Sequence, residues 1–433
     1  NGCLMSYAQT ARRCLSSWIT HLLTAIPIRS RATFVELLCG CLVSPEGWVT
    51  RAISAIVRGR HWTTYYKLLE RGNVQTLRLA HALLEVVSNT LPTETINLVI
   101  DDTLVPRQSQ KAPGSAIRYD HAKKSNRPQF LQAQCWVTLG ISVFGCADRK
   151  YVLPIVSRLV PANGNRNKLI IALALVRNLA PVMANKSVRL LFDSWFMRAR
   201  LVLTLLSRKI QVIGQTRYDT ALFMPPEVPS KSRRGRPRIY GTKITPEAIQ
   251  RLPATEVRLT LYGKEQLIRL RTVVAIARFL KGVPVRAVWC EFYDADKLRW
   301  SKTRLLLATE TQLGAEEIPH LYARRWGIEP LFHNLKRWWG VNNLWQQKRT
   351  VLGLWMQIRS TAWTLVQLLN LVTEEAFPAD IVAPWRSTQP LTGGLVAQWL
   401  RMEFTGLAFR DGYNRKSSIF TWPKQRGDPR MQV

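Results

Sequence analysis

A chain of 433 residues with 47% hydrophobic content is long enough for two or three packed domains, and 62 Lys and Arg against 28 Asp and Glu leave a formal charge of +34. So large a cationic excess implies a polyanionic partner, of which nucleic acid is the simplest. No apolar run approaches the roughly 18 residues of a membrane-crossing helix, and neither a signal-peptide pattern nor a charged leader is expected.

Residues 1–92 read as a helical domain. Apolar positions recur at helical spacing in "LSSWITHLLTAI", "RATFVELLCGCLV" and "VQTLRLAHALLEVV", and Ser44 with Pro45 is placed as cap and first-turn residue of another helix. Arg58, Arg60, His61, Trp62 and Tyr66 give this region a basic, aromatic surface. It either contacts phosphates and base edges at a DNA end or is an ordinary bundle with solvent-facing arginines. From residue 93 to 219 the pattern becomes strand, strand, strand, helix, strand, helix, strand, in "INLVID", "AQCWVTLGISVFG", "YVLPIVSRLV", a helix near 165–180, "VRLLFD", a helix near 197–208 and "QVIGQTR". That order predicts an α/β (α+β overall) fold, an RNase H-like mixed sheet flanked by helices. A Rossmann fold would alternate from the start and bring a glycine-rich turn where "DDTLVPR" stands. No phosphate-cradling loop is present, so no nucleotide cofactor is expected.

Residues 220–310 form a basic, β-rich insertion. It opens with the loop-forming "PPEVPSKSRRGRPRIYG", where Arg234, Arg236 and Arg238 flank Gly235 and Pro237 as in an AT-hook core. Such arginines enter a narrow minor groove or grip phosphates. Beyond it Val257, Leu259 and Leu261 alternate with Arg258, Thr260 and Tyr262, predicting a strand with one basic face toward DNA. Residues 311–375 return to the core, with Trp338, Trp339 and Trp345 read as core residues and an amphipathic stretch over 351–371. Residues 376–433 are a basic C-terminal tail of weak periodicity, suited to a dimer contact or to gripping DNA. Seven scattered cysteines without a two-residue pairing predict a reduced, cytoplasmic protein, Cys39 and Cys41 being core; six unpaired histidines give no structural zinc site.

Three acidic residues stand out. Asp101 ends the apolar run Ile96 to Ile100, and Asp193 ends the run in "SVRLLFDSW", each at a point where a buried strand reaches the surface. Asp102 is the second choice at the first position, because neighbouring strand residues point to opposite sides. The third is Glu329, in "LYARRWGIEPLFHNLK". At 100° per residue, Tyr322, Arg325, Glu329 and Lys336 share a stripe about 60° wide, so one helix face carries a carboxylate between two cations and a phenol. Pro330 requires that this helix kink or begin close by. A carboxylate that holds a divalent cation beside cations that neutralise phosphate oxygens suits cleavage of a polyanionic backbone.

The spacing of Tyr322, Arg325, Glu329 and Lys336, with Thr103 two residues after Asp101, resembles the signature of the IS4-type DDE transposases, and the "RHWTTYYKLL" stretch resembles their IS701-like branch. The resemblance covers roughly residues 95 to 375 and accommodates the 136 residues between Asp193 and Glu329 as an insertion. It implies an RNase H-like core in which Asp101, Asp193 and Glu329 hold two Mg²⁺ ions, with Mn²⁺ as a substitute. It also implies cut-and-paste transposition: cleavage at the element's ends, then joining of the 3′-OH to target DNA, by a homodimer on double-stranded DNA in the bacterial cytoplasm. Arg325 and Lys336 would anchor phosphates and Tyr322 position one. A tryptophan of the insertion holds a flipped base in the wider family; here Arg304 stands at that place, and Trp300 lies four residues earlier. The competing classes are an RNase H-like nuclease or resolvase that cuts without joining, and a transposase-derived DNA-binding protein without catalysis.

Overall fold

The structure is a computed structural model that describes residues 6–120, 128–145, 149–162, 167–227, 237–373, 377–386 and 389–423. Five helices come first: α1 (Tyr7–Leu22), α2 (Arg31–Val43), α3 (Val49–Ser54), α4 (Thr63–Arg71) and α5 (Thr76–Thr90). Ser6 begins α1 with a reciprocal capping box to Gln9, which satisfies two of the otherwise orphaned first-turn amides. Helix α2 is buried on every side, the pattern of a central helix rather than a surface one.

The core follows as β1 (Thr95–Pro106), β2 (Ser115–Tyr119), β3 (Phe130–Phe144), β4 (Lys150–Leu159), α6 (Asn167–Leu179), β5 (Ser187–Phe192), α7 (Ala199–Leu206) and β6 (Ile210–Thr216). Its strands lie in the order β4-β3-β1-β5-β6, with β1, β5 and β6 parallel and β3 antiparallel to both β1 and β4. This mixed α/β arrangement is the RNase H-like fold that the strand order predicts. Strand β2, absent from the sequence reading, is a five-residue strand that pairs with the first residues of β3.

The insertion does not make a sheet of its own. It contributes β7 (Leu222–Phe223), α8 (Pro246–Arg251), β8 (Thr255–Leu261), β9 (Lys264–Ala277), β10 (Pro284–Asp294), β11 (Arg299–Trp300) and β12 (Arg304–Ala308). Strand β12 bonds antiparallel to β6, and β10 and β9 follow, so core and insertion share one twelve-stranded sheet. Arg234 and Arg236 lie outside the described residues; Arg238 is exposed.

The chain re-enters the core through α9 (Glu317–Ala323), a 3-10 turn (Arg324–Gly327), α10 (Ile328–Arg337) and the long, largely buried α11 (Arg349–Val372). After the short α12 (Ala379–Val382), residues 389–423 fold back onto the N-terminal helices through α13 (Gly393–Phe404) and a small hairpin, β13 (Tyr413–Asn414) and β14 (Ile419–Phe420). There Phe404, Phe409, Phe420 and Trp422 form a buried aromatic cluster.

Ser44 and Pro45 do not open a helix; Ser44 closes α2, and α3 begins only at Val49. The reason is distant in sequence. Arg359 of α11 is fully buried and donates to the carbonyls of Ser44 (2.7 Å), Pro45 (2.6 Å) and Trp339 (2.6 Å), with its guanidinium over the Trp339 ring. Trp355 adds a bond from its Nε1 to the Gly47 carbonyl. One arginine thus joins the N-terminal helices to the segment after α10. Replacing it (Arg359→Leu) leaves three carbonyls without their donor and should lower stability by about 3 kcal/mol or more. Thermal unfolding followed by circular dichroism reads this as a fall in Tm, and an unchanged Tm would refute the linkage.

Candidate active site

The parallel pairing of β1 with β5 sets the first two acidic residues. Its register runs from Thr95 opposite Ser187 to Val99 opposite Leu191, and two further residues on each strand bring Asp101 level with Asp193. Adjacent strands lie roughly 4.8 Å apart, and alternation turns both side chains to the same face. Asp101 remains inside β1, still paired with Thr138 of β3, whereas Asp193 follows the last residue of β5. The Asp193 Oδ1 accepts from the backbone amides of Trp195 (3.0 Å) and Phe196 (3.3 Å), which orients the carboxylate in the turn before α7.

Glu329 arrives on the segment that follows β12, after the chain has passed through the insertion. The straight helix of the sequence reading is interrupted: Tyr322 lies on α9, Arg325 in the 3-10 turn, and Glu329 and Lys336 on α10. Pro330 is the third residue of α10, where the lost amide hydrogen would have had no intrahelical acceptor. The turn re-aims the side chains without separating them. Arg325 donates from one terminal nitrogen to Asp101 (2.9 Å) and from the other to Glu329 (2.8 Å), so one guanidinium bridges β1 and α10. Its side chain is largely buried, while the Glu329 side chain is 52% exposed. Lys336 donates to the Thr103 hydroxyl (2.9 Å) and stands 3.4 Å from the Leu104 carbonyl. Tyr322 is buried with the Arg325 guanidinium 5.9 Å from its ring centre.

Electrostatics mark the pair of aspartates. Burial first, and the Asp193 carboxylate second, push Asp101 up to about 7 against the pull of Arg325. Burial raises Asp193 as well, opposed by its two amide bonds and Arg325. Arg325 is driven the other way: burial would lower it, but Tyr322, Asp101 and Glu329 hold it firmly protonated. Asp102 is turned elsewhere, accepting from Lys168 (2.8 Å) and lying 3.3 Å from the Cys135 sulfur. Asp101 is therefore the residue of the two that shares a site with Asp193.

The insertion residues are placed apart from this cluster or at its margin. Trp300 lies under the Arg269 guanidinium (4.0 Å) and beside Tyr293, and Arg304 covers the Phe292 ring. Tyr322 and Arg304 line one small pocket with Tyr262 and Phe292. Tyr262 escaped the sequence reading as a site residue. It forms the β8–β9 hairpin loop with Gly263, both at positive φ (56° and 75°), as a two-residue loop requires. Its ring meets Trp326 of the 3-10 turn edge-on. A Tyr-Gly pair between two alternating segments was the available signal for the turn, but nothing local announced its neighbour.

A family profile described as DDE superfamily endonuclease matches residues 21–272, more than half of the chain. The chain belongs to that superfamily. The matched stretch includes Asp101 and Asp193 and ends before Glu329. No match was found among curated proteins. DDE superfamily endonucleases act on DNA and generally use divalent metals such as Mg²⁺. Among the described residues no helix is long and apolar enough to cross a membrane.

The oxygen donors fit a hard divalent cation, since Asp101 and Asp193 place two carboxylates side by side with too little positive charge to offset them. Yet no three metal-ligating side chains converge among the described residues. Arg325 lies between Asp101 and Glu329 and is paired with both carboxylates.

Because the Asp101 carboxyl titrates higher in the folded chain than in the unfolded one, it holds its proton more tightly when folded. Its ionisation therefore costs stability as pH rises from about 4 to about 7, by up to about 4 kcal/mol, and the cost is constant above that window. Asp101→Asn should match wild type near pH 4 and exceed it at pH 8 in denaturant titrations without added metal. A difference that does not grow with pH would contradict the burial of this charge.

Proposed function

We propose that this DDE superfamily endonuclease is a transposase of the IS4 type, in its IS701-like branch. It binds transposon ends, cleaves their phosphodiester bonds and joins the freed 3′-OH to target DNA. The observation that carries this reading is the bridge from Arg325 to Asp101 and Glu329, beside an Asp193 level with Asp101. Arg325 thereby links Asp101, within β1, to Glu329, on α10, next to the Asp193 that follows β5.

Asp101, Asp193 and Glu329 would hold two Mg²⁺ ions, with Mn²⁺ as a substitute. Ions held by these carboxylates would supply Lewis-acid activation of an attacking hydroxyl, whether of water or of a DNA 3′ end. Arg325 already pairs with two of the carboxylates, and its guanidinium is suited to a phosphate oxygen as well. Lys336 stands about 10 Å along α10 from Glu329 and anchors a flanking phosphate. Tyr322 supports Arg325 from beneath and positions a phosphate by its hydroxyl. Arg304, Trp300 and the arginines at 234, 236 and 238 extend the contact along double-stranded DNA, which a homodimer engages at paired ends.

The test replaces Asp101, Asp193 and Glu329 singly by alanine. Loss of partners that merely orient metal ligands costs 10- to 100-fold, so each substitution should reduce Mg²⁺-dependent cleavage of end-containing DNA more than about 100-fold. Undiminished cutting by any variant removes that residue from the site. A strand-transfer assay with pre-cleaved ends separates a transposase from a nuclease that only cuts: joined product is expected, and its absence with cleavage intact favours the nuclease.

A further inference from the structure

Two loops from opposite ends of the chain are locked together beside the C-terminus of α10. Gly47, between α2 and α3, meets Gly340 so closely that a Cβ at Gly47 would fall 1.9 Å from the Gly340 carbonyl oxygen and 3.0 Å from Asn343. Gly340 has a φ of +70°, where a side chain would be strained. Arg359 holds both loops by their carbonyls, and Arg107, at the end of β1, donates to the carbonyls of Asn342 and Leu344.

This rigid pair displays three tryptophans to solvent. Trp48 is 41% exposed, Trp338 61% and Trp345 52%, although Trp339 next to them is buried. Each lies one or two residues from Gly47, Gly340 or Asn343. With 3.8 Å between successive Cα atoms, the backbones of Trp48 and Trp338 fall within about 8 Å of Gly47 and Gly340, and that of Trp345 within about 8 Å of Asn343. Large apolar rings on a surface that is not free to fold over them mark a binding site.

The surroundings identify the partner. Arg337 lies against the Trp338 ring and Arg107 against Trp345, and the exposed Arg51 and Lys348 border the same loops. Glu46 and Glu70 pair with the latter two, leaving cations in excess. Aromatic rings interleaved with cations suit unpaired nucleotides, whose bases stack while their phosphates are neutralised. Position agrees: Trp338 caps the C-terminus of the helix that carries Glu329, nine residues and about 13 Å further on, and Arg107 continues the strand that carries Asp101.

We propose that Trp48, Trp338 and Trp345 form a stacking platform for unpaired bases of the DNA strand that leaves the carboxylate cleft. The inference rests on the DNA-cleaving reading above and adds to it the single-stranded character of the bound segment.

The test is fluorescence-anisotropy binding in EDTA, with a blunt 20-base-pair duplex and the same duplex carrying a ten-thymidine 3′ tail as probes. The tailed duplex should bind more tightly. Trp338→Ala and Trp345→Ala should each weaken tailed binding by roughly 5- to 100-fold while leaving blunt binding within about twofold, and the Phe variants should retain most of the affinity. Equal losses on both probes, no preference for the tail, or no loss on substitution overturns the platform. Binding to neither probe by wild type overturns the DNA reading itself and is thereby distinguished. Sedimentation of the variants tests the rival occupant: a dimer that becomes a monomer assigns the tryptophans to contact between copies and overturns the proposal. Unchanged circular dichroism ensures that a loss of affinity is not a loss of fold.

Discussion

The site is governed by a register. Parallel pairing of β1 and β5 forces two carboxylates onto adjacent strands at the same height, and like charges so close, away from water, cannot both ionise without a counter-charge. Arg325 supplies part of it, and in doing so ties α10 to β1. The same arginine therefore sets the position of Glu329 and hides how the three carboxylates would stand around cations. This is a site organised around a deficit of positive charge, which is what a protein must build if it is to bind divalent ions strongly.

The strands were legible because burial on both faces of a parallel sheet gives nearly continuous apolar runs, as in "LVI" and "LLF", and the carboxylate that ends each run is conspicuous. The motif around Glu329 was legible as spacing, but its backbone was not: the 3-10 turn at Arg324–Gly327 breaks the stripe, and only tertiary packing keeps Arg325 within reach of Glu329. Ser44 and Pro45 mimic a helix start, but Arg359, more than 300 residues away, claims their carbonyls. A partner so remote leaves no local pattern. The tryptophans after Lys336 divide for the same reason, since Trp339 fills the space against Arg359 and Trp363 while Trp338 is turned outward.

Arg325 and Arg359 carry the same side chain in opposite circumstances. Arg359 is paired with carbonyl dipoles and two tryptophan rings in complete burial, with burial lowering its affinity for a proton. It is a fixed part of the framework. Arg325 is largely buried too, but it is paired with the carboxylates of Asp101 and Glu329, the second of which is half exposed.

The third carboxylate reaches its partners only after the chain has traversed the insertion, so the insertion must be rigid for Glu329 to be well placed. Continuity of the sheet from β6 into β12 provides that rigidity, and the buried Arg189 reinforces it by bonding Glu310, just past β12, and Asn97 on β1. The opposite end of the insertion returns to the site through Tyr262, whose positive φ is sustained by a hairpin loop pressed against Trp326. The Arg324–Gly327 turn is thus pinned from the insertion side by Tyr262 and from the N-terminal side by the Arg359 linkage through Trp339. A turn held at both ends can present Arg325 and Glu329 at one height above β1, which a freely hinged helix could not.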